Sequence, residues 1–435
     1  MKTRVYQICE FESFFSEGSG REMPGYHALP PAVFSQLEHF LLERSSSGSE
    51  ETFWMTLSIR RGFGKVITVQ NYVGVILMED GTLIEILPKI HSAMDCDPDG
   101  ARTKKLLIEM LKTLREAPFK NFQISSVGSA QMNLFEIFVR MFLDEVFPLV
   151  KRGLPCGYEV AEENSAFFRG KLMVSQHIRL NFAHQERSYI QHDQFTANRP
   201  ENRILKATLL YLYRYSRSLK NRTDIKVLLQ SFLNVSPSTD FISDFALCSS
   251  DRTAREYQNS LLWSRVFLKG KSFTSYSGSH LALALLFPME KLFESYIAVH
   301  LQKQLAGKPY SLSIQDTTHR LFDSPQKAFQ LRPDLVIRRK TDNTVFVADT
   351  KWKLLDVRKP HYGVSQSDLY QMAVYQYKYH AQNVTLLYPR SSSIDLSKPV
   401  SFTSKDGLTV HLRWIDWMRM DAKQNIAAFA ETFVH

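Results

Sequence analysis

Apolar positions change their period along the chain, and the changes divide it. Up to about residue 125 they alternate over short stretches, at 65–69, 74–78 and 83–87, the period of half-buried strands. Asp80-Gly81, between the last two stretches, is a hairpin signal, because glycine accepts the positive φ that tight turns require. A helix is predicted over 31–42, followed by the polar loop Ser45-Ser46-Ser47-Gly48-Ser49. A break over 95–100 and a helix over 106–114 come next. Residues 1–125 thus read as a β-rich N-terminal domain. From 126 to 275 the apolar residues recur at three and four positions, as in Leu134, Ile137, Phe138, Met141, Phe142 and Val146, and again in Ile204, Leu209, Leu212 and Leu219. That spacing predicts a mainly helical connecting domain. Residues 276–435 open with a helix over 289–301, continue with strands and another helix, and close on a hairpin around Asp406-Gly407, an α/β pattern. The whole is a multidomain chain of mixed α+β and α/β character.

Composition narrows the classes. The 435 residues are 44% hydrophobic and 12% aromatic, as in an ordinary folded protein long enough for two or three cores. Cys9, Cys96, Cys156 and Cys248 form no CxxC pair and no zinc spacing, which excludes a disulfide framework or metal knuckle and fits a reducing cytoplasm. The longest apolar run, 281–289, contains Pro288 and is too short to span a bilayer, so neither membrane nor export is expected. A net charge of +10 favours polyanions such as nucleic acid, without specifying one. No nucleotide-binding loop is present: Gly270-Lys271-Ser272 has Arg265 where the loop requires glycine, and Gly64-Lys65 is followed by Val66.

The candidate chemistry lies in the last third. Residues 331–337, with Pro333-Asp334 near the start, predict a strand. Asp342-Asn343 predicts a turn, and 344–351, ending in Asp349-Thr350-Lys351, a second strand antiparallel to the first. Alternation puts Val345, Val347, Asp349 and Lys351 on one face and Phe346, Ala348, Thr350 and Trp352 on the other. The hairpin brings Asp334 near Asp349. Two adjacent carboxylates repel, and together with a backbone carbonyl such as that of Thr350 they suit a hard, oxygen-seeking cation, Mg²⁺ or Mn²⁺. Such an ion polarises a phosphate and activates water while the Lys351 ammonium offsets developing charge, which is the chemistry of phosphodiester hydrolysis. A following helix, with Ser365 or Ser367 as N-cap and Asp368 in its first turn, carries Gln371 and Tyr375 one turn apart on the same face. Taken alone, an Asp-Thr-Lys tripeptide is an ordinary strand end with a solvated salt bridge. Its order in the chain, after a helix bearing Glu294 and before the strand 384–388, gives it weight.

Pro333-Asp334, then Asp349-Thr350-Lys351, then Gln371-x-x-x-Tyr375 resembles the PD-(D/E)xK nuclease superfamily and the glutamine–tyrosine helix of its RecB-like branch. Glu294 resembles the extra acidic ligand of its first core helix. A further resemblance, to the McrC family, runs nearly end to end. It rests on Asn71-Tyr72-Val73-Gly74-Val75 and Ile84-Glu85-Ile86-Leu87-Pro88-Lys89-Ile90; on Phe168-Arg169-Gly170-Lys171 with Arg179 and Asn181; and on Asn202-Arg203-Ile204-Leu205-Lys206. It also takes in Leu292-Phe293-Glu294, Asp368-Leu369-Tyr370-Gln371-Met372 and Leu386-Leu387-Tyr388-Pro389. The resemblance implies a C-terminal PD-(D/E)xK, restriction-endonuclease-like core that cuts double-stranded DNA in a type IV, modification-dependent restriction system. It also implies an N-terminal part that engages and stimulates a hexameric AAA+ GTPase, McrB. Two basic features are assigned to partners on weaker grounds. Arg60 and Arg61, before Gly62-Phe63-Gly64, form a hairpin tip for the AAA+ partner or an ordinary solvated surface. Arg214, Arg217, Lys220 and Arg222, interleaved with Tyr211, Tyr213 and Tyr215, form a DNA-facing surface, a partner interface or a polar helix face with aromatic packing, and DNA contact is assigned to Arg214 and Arg217. Two other readings remain beside the nuclease subunit: a non-catalytic activator of an AAA+ ring, and a repair nuclease acting alone.

Overall fold

In a computed structural model of the chain, the described residues are 4–20, 23–45, 54–90, 100–114, 132–248, 252–268, 281–324, 328–391, 394, 400–416 and 422–431. Most of the serine-rich loop expected at 45–49, most of the break expected at 95–100 and the whole Gly270-Lys271-Ser272 tripeptide lie outside them. The fold is mixed α/β with several sheets, and it divides into two compact units. One comprises residues 4–77, 82–131 and 286–435; the other comprises 1–3, 78–81 and 132–285. Among the described residues, no helix is long and apolar enough to cross a membrane.

The larger unit joins the N-terminal strands to the C-terminal segment. The 83–87 stretch forms the strand Leu83–Leu87, paired antiparallel to Tyr72–Met78 and parallel to Val5–Cys9. The intervening Gly81 has φ 86°, as the Asp-Gly signal requires. Gly64–Val69 pairs with Met55–Arg60, so Arg60 and Arg61 stand exposed at a hairpin tip. The predicted helices at 31–42 and 106–114 are Pro31–Ser45 and Ala101–Leu111.

The C-terminal sheet has six strands in the order Tyr310–Ile314, Leu335–Arg339, Val345–Thr350, Asn383–Pro389, Thr409–Ile415 and Val400–Thr403. Its first three strands are antiparallel neighbours, its next two pairings are parallel, and the edge pair is antiparallel again. The helix Gln366–Tyr379 connects the parallel strands Val345–Thr350 and Asn383–Pro389, as parallel pairing requires a crossover. Buried Met372, Tyr375 and Tyr379 on that helix pack with Val336, Val345, Val347, Val384 and Leu386 of the sheet. The helix Met289–Leu305 carries a second buried row, and its Phe293 ring lies 5.3 Å from that of Trp352. The helix Ala422–Glu431, not anticipated from the sequence, packs against Met289–Leu305 and the strand Thr409–Ile415.

The smaller unit contains the expected amphipathic helices, among them Leu134–Arg152, Pro200–Tyr215, Leu219–Ser231 and Arg252–Leu268, around buried Phe138, Phe142, Trp263 and Phe267. It also contains a three-stranded sheet that the sequence pattern did not announce: Gly157–Ser165, Ser188–Thr196 and the short Lys171–Leu172. The expectation of a mainly helical middle is corrected to this extent. Several residues that carry the McrC resemblance hold this unit together. A Cβ on Gly170, at φ 73°, would meet the Gln191 carbonyl at 2.2 Å, so only glycine fits. Buried Asn202 donates to the Pro155 and Ala197 carbonyls and accepts from the Tyr257 hydroxyl. Asn181 spans Asn164 and the Arg187 carbonyl, and Arg203 pairs with Asp244 at 2.5 Å.

Candidate functional site

Asp334 sits just before the strand Leu335–Arg339 rather than within it, as its proline neighbour requires, because Pro333 has no N–H for the ladder. The register that pairs Leu335 with Ala348 puts Asp334 beside Asp349 at the end of the neighbouring strand. Thr350 then closes on Asp334 twice, its amide at 2.8 Å and its hydroxyl at 2.6 Å from Oδ2. On sequence grounds Thr350 was expected to contribute a carbonyl to a cation. What the structure displays is its two donors fixing Asp334.

Asp349, 3% exposed, accepts from Lys351 Nζ at 2.7 Å. The ammonium also donates to Gln371 Oε1 at 3.0 Å and lies 3.8 Å from Asp368. Gln371 in turn donates to the Tyr375 hydroxyl at 2.8 Å, which orients its carbonyl oxygen toward the lysine. The one-turn spacing of Gln371 and Tyr375 thus becomes a relay whose far end holds Lys351 against Asp349. Ser365 occupies the N-cap of this helix, but its hydroxyl meets that of Ser367 at 2.6 Å instead of capping a backbone N–H.

Glu294, from the helix Met289–Leu305, joins the pair through a residue the sequence did not single out. Gln315 donates from its single amide nitrogen to Glu294 Oε1 at 2.5 Å and to Asp334 Oδ1 at 2.8 Å. Its own backbone N–H reaches the Asp334 carbonyl at 2.9 Å.

The electrostatics follow from burial. Asp334 is pushed up to about 6 by burial and by the Glu294 charge, and Asp349 to about 6 by burial and by Asp334. Burial likewise raises Glu294, partly offset by the Gln315 hydrogen bond. Burial works against the Lys351 ammonium, yet Asp349, Asp368 and Asp334 together hold its pKa above the ordinary value. Tyr375 is pushed up to about 12 by burial and the Asp349 charge, so its phenol stays protonated. Among the described residues, no three His, Cys, Asp or Glu side chains are already drawn together around a point an ion could occupy. The donor chemistry nevertheless suits a hard divalent cation: these are buried and half-buried carboxylate oxygens whose mutual repulsion a positive charge relieves.

The same unit braces the strand end that carries this chemistry. Trp352, next to Lys351, donates its indole N–H to Glu10 Oε1 at 2.6 Å, and its carbonyl accepts from Lys89 Nζ at 2.6 Å. Glu10 also accepts from the Lys89 amide at 2.9 Å. Burial raises Glu10 and lowers Lys89, each countered by the charge of the other. Lys89 belongs to the Pro88-Lys89-Ile90 motif, and bracing residue 352 gives that motif a physical role.

Six expected residues, Asp334, Asp349, Thr350, Lys351, Gln371 and Tyr375, meet directly here, and Glu294 meets them through Gln315. Arg60 and Arg61 lie elsewhere in the larger unit, at the hairpin tip. Arg214 and Arg217 belong to the smaller unit, where Arg214 lies over the Tyr215 ring at 5.5 Å.

A family profile described as McrBC 5-methylcytosine restriction system component matches residues 67–389. Comparison with curated proteins finds no match. Among solved structures, the chain is similar to one in the refined half-complex from the tetradecameric assembly of Thermococcus gammatolerans McrB AAA+ hexamers with bound McrC. There the identity is 17% and the TM-score 0.69, over 99% of this chain and 100% of that one, which shows a shared fold. A second similar chain is in the cryo-EM structure of the Thermococcus gammatolerans McrBC complex, with 17% identity and a TM-score of 0.46 over 69% of this chain and 88% of that one.

Proposed function

The chain belongs to the family of McrBC 5-methylcytosine restriction system components, and from that premise we propose that it is the DNA-cleaving subunit of a modification-dependent restriction complex. The reaction is hydrolysis of phosphodiesters in double-stranded DNA with Mg²⁺ or Mn²⁺. The observation that carries this reading is a pair of adjacent, mutually repelling carboxylates, buried Asp349 and half-buried Asp334, with an ammonium bonded to the first. A merely structural salt bridge has no need of the second carboxylate, of Glu294 or of the relay through Gln371.

Asp334, Asp349 and Glu294 would hold the cation, with the Thr350 carbonyl the further oxygen expected from the sequence. When bound, the cation polarises the scissile phosphate and lowers the pKa of an attacking water. The chain's own residues supply the rest. Thr350 fixes Asp334 through two hydrogen bonds, so its carboxylate does not have to reorganise. Lys351 keeps its proton and places a positive charge where negative charge builds on the phosphate. Gln371, held by Tyr375, restrains the Lys351 ammonium, so its long stem loses less freedom during the reaction.

An AAA+ GTPase hexamer is the proposed partner. Two observations support it: the likeness to a chain from an assembly of McrB AAA+ hexamers with bound McrC, and the lack of a nucleotide-binding loop in this sequence. Arg60 and Arg61 are proposed to contact that partner, and Arg214 and Arg217 to face DNA. Purified chain is tested on methylated and unmethylated DNA with Mg²⁺, alone and with the GTPase and GTP. Cleavage only with the partner supports the proposal. Cleavage by the chain alone identifies an independent nuclease, and stimulated GTP hydrolysis with no cleavage identifies a non-catalytic activator.

A further inference from the structure

Gln315 combines two features with no purely structural reason to coincide. It follows directly on the edge strand Tyr310–Ile314, and its backbone lies in the left-handed region, at φ 52°. That conformation is strained for a residue with a Cβ and relaxed for glycine. A glycine here would make the same backbone bond to the Asp334 carbonyl without strain. What glycine would lack is the amide, and the amide sits between Glu294 and Asp334, its nitrogen 2.5 Å from one carboxylate and 2.8 Å from the other. Strain retained for a side chain aimed into a cluster of acids points to a role in that cluster.

An amide has two faces that fit two states of such a site. Its NH₂ offers two donors and no charge, and both carboxylates are bonded by it here. Its carbonyl oxygen is a hard, neutral donor of the kind that divalent cations take alongside carboxylates. Rotation about the Cγ–Cδ bond exchanges the two faces without moving the backbone.

We propose that Gln315 is a member of the cation site: its amide nitrogen links Glu294 and Asp334 to each other, and its carbonyl oxygen can turn inward as a ligand to a divalent cation. The proposal rests on the cation-dependent reading above, and it deepens that reading by adding a ligand from a strand that carries no acidic residue of the set.

Mn²⁺ binding to the full chain, followed by calorimetry and by the electron paramagnetic resonance of the free ion, tests it without reference to cleavage. Gln315→Gly removes the amide while relaxing the backbone, so the protein remains folded, which a thermal melt verifies. It is expected to bind Mn²⁺ about tenfold more weakly, the lower end of what losing a ligand-shell contact costs. Gln315→Glu keeps an oxygen and adds charge, and is expected to bind about tenfold more tightly, since affinity rises with the charge of the ligand set. A merely structural glutamine would give no such opposition of sign. Equal or tighter binding by Gln315→Gly overturns the proposal. Binding that is lost in Asp334→Asn but indifferent to both Gln315 variants overturns this assignment alone. Failure of the unsubstituted protein to bind Mn²⁺ overturns the cation-dependent reading and this inference together.

Discussion

Two sheets in this molecule handle their side chains in opposite ways. At the six-stranded sheet, polar groups are drawn in and partnered: Asp349 is 3% exposed and bound to Lys351, and half-buried Asp334, just before its strand, is gripped by Thr350 and Gln315. In the three-stranded sheet of the smaller unit and at the end of the neighbouring helix Val174–Asn181, most large apolar groups are exposed, buried Ile190 apart: Tyr158 is 79%, Phe195 63% and Phe182 85% accessible. Buried charge is costly and persists only where several partners fix it, so the first sheet is a place of low electrostatic reorganisation, suited to chemistry. Exposed aromatic area adds almost nothing to the fold that carries it, so the second sheet is held by its backbone ladder and by polar staples such as Asn181.

This contrast can be broken from the side of the candidate site first. Lys351→Met leaves the carboxylates without their ammonium and is expected to lower DNA cleavage about a thousandfold, the scale on which loss of a charge-stabilising group acts. Single-turnover cleavage with the AAA+ partner present measures it, and Lys351→Arg should not restore the rate, because a planar fork does not replace a point charge held by Gln371.

The brace behind the site comes next. Trp352→Phe removes one donor from the buried Glu10 carboxylate and is expected to destabilise the protein by about 1–3 kcal/mol, read from urea unfolding.

A smaller, pH-dependent effect separates the two sheets further. In chelator, folded Asp334 and Asp349 keep their protons up to about 6, whereas unfolded aspartates release theirs near about 4. Between those values the folded state binds more protons, so stability is greatest at the acid end of the window and falls as pH rises through it. Asp334→Asn should flatten that fall, and an unchanged slope in the variant would count against the coupled pair.

The smallest effect is expected beside the exposed sheet, at the residue that ends the helix Val174–Asn181. Phe182→Ser should alter stability by less than about 0.5 kcal/mol.

How much of this was legible in the sequence depended on how locally each feature is encoded. Asp334, Asp349 and Lys351 were legible because a turn and a two-residue period place them, and Asn343, at φ 58°, makes the turn expected there. Gln371 and Tyr375 were legible from the helical period alone. Gln315 carries no local signal: its role arises from a left-handed backbone and a contact 19 residues away. The bond between Glu10 and Trp352 spans 342 positions, and no periodicity reaches that far. The three-stranded sheet was missed for a different reason. The strand Gly157–Ser165 is rich in glutamate, and its apolar Tyr158 and Val160 face outward, so its pattern is inverted relative to that of a buried strand.

The proposed nuclease activity depends on Asp334 and Asp349 holding a cation beside Lys351. It is tested most directly by Asp349→Asn, a substitution of nearly equal shape that removes one charge. DNA cleavage in Mg²⁺ and co-elution with the AAA+ GTPase are measured on the same preparation. Cleavage is expected to disappear while the complex assembles as before. Cleavage at the unsubstituted rate from an intact complex would contradict it.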